Sequence, residues 1–400
     1  MTTRRSEVVF IDGVRTPFGR ASDKGMFART RADDLLVSAI IGLLERNPTI
    51  PHDRIDDVVI GAATQTGDQG LTLGRVAAIL AGLPRSVPGF SVDRMCAGAM
   101  TATAMAAGSI GFGMYELALV GGVEHMGRHP IASGADPNPR FLTERLVGEE
   151  ALVMGATAER IHDRFPHLTK QRADHFAFRS QEKAAAAYAA GDIQRDLIPV
   201  AHATDAGWNL AVRDELPRPD TTVTALATLK TPFRPHGRVT AGNASGLTDG
   251  ATAALIGSAS LAEELRLVPR MRLVSYAFAG VDPEIMGIGP IPATEKALRL
   301  AGLRMSDIDC FELNEAFAVQ VLSLLDHYDI PDDDPRVNPW GGAIAMGHPL
   351  AASGVRLLIQ LSRHFQKHPE YRYGLASMCV GLGQGATMIW ENLSSKARKR

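Results

Sequence analysis

Cys96 stands in the stretch "SVDRMCAGAM", directly ahead of Gly98, Ala99 and a string of small residues. A sulfur at the start of a helix meets the positive end of the helix dipole, which favours thiolate over thiol. Small neighbours let such a helix sit deep and leave room beside the sulfur. The pattern suits a nucleophile, but by itself it suits an inert buried cysteine, the commoner fate of a lone thiol. A second thiol, Cys379 in "SMCVGLGQG", follows a strand pattern and precedes Gly381, Gly383 and Gly385. Glycines there let the backbone come close to a ligand and aim N–H groups at it. A dinucleotide loop would need its glycines between strand and helix, whereas this chain runs back into a strand, so that reading is rejected.

His348 lies in "AMGHPL". Pro349 disfavours the α conformation at His348 and suits the first position of a following helix. The imidazole is therefore expected in a turn at a helix N-terminus, where the field opposes imidazolium and a neutral ring can act as a base. A turn histidine bonded only for structure is an equal alternative. Asn314 in "FELNEAF" sits at a strand-to-helix corner, either as a helix cap or as an amide that orients a water or a carbonyl oxygen. His125 and His129 have no evident third ligand, so no metal site is expected. Cys310 falls in an apolar strand pattern and reads as core. Glu124, at a strand end after "VGG", reads as a structural hydrogen-bond acceptor.

These groups hang on an alternation of strands and helices that argues for parallel α/β architecture. "EVVFIDGV", "IDDVVIGAAT", "VPGFSVDRM" and "ELALVGGVE" read as strands, with helix patterns at "RADDLLVSAIIGLLERN", "GLTLGRVAAILAGL" and "CAGAMTATAMAAGSI". The same order returns in "RMRLVSYAFAGV", "ATEKALRLAGLRMSDIDCFELNEA", the helix after "GHPL", and "RYGLASMCVGLGQGATMIWE". Two copies of one α/β fold are expected, one over 1–125 completed by 240–268, the other over 269–400. Between them, 126–239 is richer in proline and charge. It carries the long helix pattern "TKQRADHFAFRSQEKAAAAYAAGD" and reads as a loop domain inserted over the first half, of the kind that lines a ligand cleft.

A net charge of −2 gives the chain as a whole no attraction to nucleic acid. The basic "SSKARKR" at the end reads as a solvated tail. Three cysteines without a CxxC pattern make no disulfide framework and fit a reducing compartment. The start of the chain lacks a signal-like apolar core, the apolar runs are too short for a transmembrane segment, and the last residues are not Ser-Lys-Leu. A cytoplasmic protein is the expectation.

Taken together, the cysteine at a small-residue helix, "NEAF", "GHPLAASG" and "CVGLGQG", in that order, resemble the thiolases. "VRTPFG", "VGGVEHM" and "GNASGLTDGA" extend the resemblance over nearly the whole chain. "RPDTTVTALATLKTPF", "GGVEHMGRHP" and "YGLASMCVGLGQG" look most like the degradative 3-ketoacyl-CoA thiolases, in particular the thiolase subunit of the bacterial β-oxidation complex. The sequence departs from the family pattern at Asp93, where many thiolases have Asn, and in "CAGAM". Asp93 is expected to be paired or turned away from the thiol.

The resemblance implies a five-layered α-β-α-β-α fold of two βαβαβαββ halves. It implies thiolytic cleavage of 3-ketoacyl-CoA through an acyl-cysteine, with Cys96 as nucleophile, His348 as base and Cys379 as acid and base. Asn314, through a water, and His348 would serve the enolate oxygen, and the N–H groups of Cys96 and Gly381 the acyl oxygen. Ser245, Met154, Met286 and Phe317 match positions that contact the CoA arm or thioester. Coenzyme A would be a substrate, with no tightly bound cofactor. A homodimer or higher oligomer is implied, as is a possible partner subunit with hydratase and 3-hydroxyacyl-CoA dehydrogenase activity. The rivals are a biosynthetic acetyl-CoA acetyltransferase, a decarboxylating condensing enzyme, and a non-catalytic lipid-binding or structural subunit. The condensing enzymes pair a cysteine with two histidines, and Cys379 stands against them.

Overall fold

A computed structural model describes residues 6–395; the basic end of the chain at 396–400 and the first five residues lie outside it. The strands are β1 (Val8–Arg15), β2 (Gly19–Arg20), β3 (Asp57–Gly61), β4 (Gly89–Val92), β5 (Leu117–His125), β6 (Val200–Thr204), β7 (Gly207–Ala211), β8 (Thr248–Ser258), β9 (Met271–Gly280), β10 (Cys310–Leu313), β11 (Tyr373–Val380) and β12 (Gln384–Asn392). β1, β3, β5, β8, β10, β11 and β12 are buried along nearly their whole length because both faces of each sheet are covered.

One hydrogen-bonded path orders them β10-β11-β12-β9-β1-β8-β5-β3-β4. β3 is parallel to β4 and β5, and β10 to β11, whereas β8 and β12 enter antiparallel. Among the described residues the two sheets pair only where Val9 and Phe10 of β1 face Arg272 and Met271 of β9. Reading each sheet inward to that seam gives the same order twice. The second copy differs in one place. The equivalent of β4 is reduced to a single parallel bridge between Phe311 and Val337. Its segment, "PDDDPRVNPW", has prolines on both sides of Val337, and proline cannot donate to a ladder.

Strand alternation sends Phe10, Ala118 and Val120 into one core and Val9, Leu117 and Leu119 into another. The first core also takes in the helices Gly98–Gly111 and Ser353–Lys367 and the inner faces of β11 and β12, so these two helices lie between the sheets. Outside the first sheet, the helices Ala32–Arg46 and Leu73–Leu80 form the second core. Outside the second sheet, Pro290–Ala301, Ala318–His327 and part of the 126–239 region form the third. Helix, sheet, paired helices, sheet, helix is the five-layered arrangement expected.

The central layer explains the small residues after Cys96. A Cβ on Gly61 of β3 would lie 2.2 Å from the carbonyl carbon of Gly98, and one on Gly98 would lie 2.7 Å from Cβ of Ala351. The helix after Cys96 is thus pressed onto β3 on one side and onto the turn after His348 on the other. The Lys170–Ala189 helix forms as expected, capped by the Thr169 hydroxyl and closed by Gly191 at φ +75°. Among the described residues no helix is long and apolar enough to cross a membrane, and no cluster of His, Cys, Asp and Glu could hold a metal ion.

Candidate active site

Cys96 is buried in a short 3-10 turn, Met95–Ala97, and the α-helix begins only at Gly98. The turn is set by Met95, a non-glycine residue at φ +44°, whose N–H is taken by the Asp93 carboxylate at 2.6 Å. Asp93 is therefore tied to the turn. Its charge still reaches Cys96, as the smallest of the influences that raise the thiol.

The expectation of a ready thiolate is overturned. Burial pushes the Cys96 thiol up to about 12, with the Glu124 charge adding to the rise, while N–H groups of Gly381 and of Cys96 itself pull it down. Desolvation of the sulfur outweighs the local backbone field. Cys379, at the end of β11, is also buried and is raised by burial first and by the Cys96 charge second. The two thiols thus lie close enough to feel each other, although they come from different halves of the chain.

His348 follows Gly347, held at φ +101° against Thr248. Pro349 does not open the long helix. It caps a 3-10 turn, Leu350–Ala352, and the helix proper starts at Ser353. Nδ1 of His348 lies 2.6 Å from the Ser353 hydroxyl, and Nε2 lies 3.3 Å from Nδ2 of Asn314. With the Nδ1 proton given to Ser353, the Nε2 lone pair faces the Asn314 NH2 group. Burial pushes this imidazole down to about 3, and the Arg356 charge adds to the effect. A neutral ring is what a base needs.

Asn314 is not a helix cap. Its backbone N–H joins Ser377 O at 2.9 Å, continuing the β10–β11 pairing, and the next helix is headed by Phe317. The side chain is fully buried between His348 and Arg356, whose Nη2 donates to Oδ1 at 3.3 Å. Gly381 follows β11, and a Cβ there would lie 2.6 Å from Sδ of Met95, so glycine leaves room for that side chain beside the Cys96 turn.

Met286 and Phe317 are buried in the core that contains Cys379, with Met154 packed against it. Ser245 stands beside this group, its N–H donating to Ala316 O at 2.9 Å. Gly246 and Leu247 continue from Ser245 into the wall of a cavity of about 560 Å³, lined also by Arg20, Arg218, Leu229 and Ile344. Arg20 and Arg218 are cationic groups on that wall for which sequence reading had no signal.

The remaining candidates are structural. Glu124, fully buried, accepts N–H groups from Ala63, Thr64 and Ala351 and the amide of Gln69. His125 lies against Asp249 and Phe27 O, and His129 against Asp68. Cys310 is buried and its thiol is pushed well up by burial. Arg356 was missed. Its signal was the polar spacing of Ser353, Arg356, Gln360 and His364 along one face of an amphipathic helix.

Residues 8–260 match the family model for the thiolase N-terminal domain, and 267–392 that for the thiolase C-terminal domain. The chain is 44% identical over 392 residues to a 3-ketoacyl-CoA thiolase of Citrobacter koseri, covering 97% of this chain and all of that one. It is 41% identical over 403 residues to the 3-oxoadipyl-CoA/3-oxo-5,6-dehydrosuberyl-CoA thiolase of Escherichia coli, with 97% and 100% covered. The acetyl-CoA acetyltransferase of Bacillus anthracis superposes with a TM-score of 0.89 at 34% identity, over 98% of this chain and all of that structure.

Proposed function

The chain belongs to the thiolase family, and from that premise we propose that it is a degradative 3-ketoacyl-CoA thiolase. It cleaves a 3-ketoacyl-CoA with free CoA into acetyl-CoA and a shortened acyl-CoA. The observation that carries this reading is that the N–H groups of Gly381 and Cys96 reach the Cys96 sulfur, whose charge is felt by the Cys379 thiol, while His348 is held between Ser353 and Asn314.

Because the Cys96 thiol is raised and His348 is neutral, the proton leaves sulfur for Nε2 as the sulfur attacks the keto carbon. The bond between C2 and C3 breaks, the acyl group stays on Cys96 as a thioester, and the departing enolate takes a proton at carbon from Cys379. The incoming CoA thiol returns a proton to Cys379 and attacks the acyl carbon. Cys96 leaves as thiolate and recovers its proton from His348. His348 and a water held by Asn314 steady the enolate oxygen, and the N–H groups of Cys96 and Gly381 the acyl oxygen.

Coenzyme A is a substrate in this scheme and no other cofactor is required. Its arm occupies the cavity beside Ser245, with Arg20 and Arg218 available to the phosphates and Met154, Met286 and Phe317 near the thioester. The loop region 126–239 supplies Arg218 and roofs this cavity. The outer edge of β4 is unpaired among the described residues and lies near the exposed apolar Phe112, Met105 and Met114. Pairing of two copies across that edge gives a homodimer. The family resemblance alone suggests a complex with a hydratase/dehydrogenase subunit, and three free thiols suit the cytoplasm.

The decisive experiment is CoA-dependent cleavage of 3-ketoacyl-CoA substrates of increasing length, with 3-oxoadipyl-CoA included. Turnover across several lengths, abolished in Cys96→Ala, supports the reading. Activity confined to acetoacetyl-CoA points to the biosynthetic enzyme, and activity confined to 3-oxoadipyl-CoA to a dicarboxylate-specific one. Normal thiolysis by Cys96→Ala would remove the mechanism. Light scattering of the purified chain tests the dimer. Migration in native lysate only at dimer or tetramer size counts against the larger complex.

A further inference from the structure

We propose that Arg356 is a positioning residue for the carbon–carbon step, holding the Asn314 carboxamide so that its NH2 group faces His348 and the reacting oxygen. This rests on the thiolase reading above. A side-chain amide is nearly symmetric in shape, and only its partners decide which end points where. Turned over, Asn314 would set its oxygen against the lone pair of His348 Nε2 and offer no donor to an enolate. Arg356 Nη2, 3.3 Å from Oδ1, fixes the productive sense.

The surroundings of Arg356 mark it as more than a structural ion pair. Its side chain is 1% exposed, and burying a guanidinium costs several kcal/mol unless its donors are met. Yet its Nε has no partner, and its charge partner Glu312 lies 3.6 Å away, with Oε2 making no hydrogen bond. Glu312 instead receives His364 at 3.0 Å. A guanidinium selected only to tie the core would be saturated. This one gives Nη1 to the Gln360 amide oxygen and Nη2 to Asn314 Oδ1, and leaves Nε unused. The placement is systematic along one helix face, because Ser353 and Arg356 are three residues apart and stack on successive turns. Ser353 fixes the tautomer of His348, and the next turn fixes the amide of Asn314.

The test uses the full chain. Arg356→Met combined with Glu312→Gln removes both buried charges together, and Arg356→Lys keeps the charge without the planar fork. Two rates are measured in each: thiolysis of a 3-ketoacyl-CoA, and exchange of isotope-labelled CoA with a saturated acyl-CoA, which passes through acyl-Cys96 without forming an enolate. Misplacing the amide is expected to lower the thiolysis kcat by on the order of 10- to 100-fold. Exchange should stay within about twofold, since it bypasses the step that needs Asn314. Adding Asn314→Ala to Arg356→Lys should cost no more than Asn314→Ala alone. The proposal is overturned if thiolysis is unchanged in both variants, if thiolysis and exchange fall in parallel, or if the losses multiply. Failure of the inference alone leaves Cys96→Ala dead and Asn314→Ala impaired; full activity in either of those variants overturns the thiolase reading and the inference with it. If the double variant does not fold, Arg356→Lys carries the same comparisons.

Discussion

Nδ2 of Asn314 stands 3.3 Å from Nε2 of His348, across 34 positions of chain. The amide donor and the ring lone pair face each other at the point where the proposed enolate oxygen would form. Asn314→Ala is expected to lower the thiolysis kcat by about 100-fold, the usual cost of one oxyanion donor, and to leave KM nearly unchanged. Steady-state kinetics would show it. A rise in KM at constant kcat would mean that Asn314 only binds.

The raised Cys96 thiol has a direct chemical signature. Alkylation by iodoacetamide should be slow at pH 7 and should rise about tenfold per pH unit, with no plateau below about pH 10. Mass spectrometry of the Cys96 peptide against time gives the rate. A plateau near neutrality would reveal a standing thiolate pair with His348.

His348 makes a stability prediction whose sign is fixed. Its folded pKa is pushed down to about 3, below the ordinary value of 6.5 for an unfolded chain. Between these values the unfolded state binds the extra proton, so stability falls as pH drops through 6.5. The slope from this one group is about 1.4 kcal/mol per pH unit. His348→Gln should lose less stability than the parent chain between pH 7 and pH 5, as seen in urea unfolding at each pH.

At Gly381 a methyl group would press on Sδ of Met95. Gly381→Ala should keep the fold and lose thiolysis by on the order of 100-fold, by shifting the N–H from the Cys96 sulfur. Shortening the obstacle with Met95→Ala in the same chain should restore part of the rate. No recovery would place the damage elsewhere.

Gly61 offers no such relief, because the clash is with backbone. Gly61→Ala forces the nucleophile helix away from β3 and is expected to cost about 1–3 kcal/mol of stability, with activity lost as well. Thermal and urea unfolding check the first, and kinetics the second.

The layers were legible because their signals are local. Strands covered on both faces leave apolar runs such as Val8 to Ile11, and a helix pressed between sheets leaves the small residues after Cys96. The order of elements announced the duplication, but the shrinkage of the second β4 equivalent to Val337 did not follow from order. Cys96, His348, Cys379, Asn314 and Gly381 were named from sequence; the structure brings Asn314 against His348 and the Gly381 N–H to the Cys96 sulfur. What the sequence could not supply was the balance of fields. The dipole argument at Cys96 is a one-turn effect, and burial by the second half reverses it. The cap expected at Asn314 failed because Ser377 and Arg356, both distant in sequence, claim its backbone and its amide.

Among the described residues the two sheets pair through a pair of rungs, at Val9 and Phe10, and Cys96 comes from one side of that seam while His348, Cys379 and Asn314 come from the other. The enzyme is in effect assembled by docking, and rate becomes a ruler for that docking. A sub-ångström shear along the seam would be paid in turnover well before any probe of folding registered it. Substitutions at this junction, far from any reacting atom, are where silent losses of catalysis are to be sought.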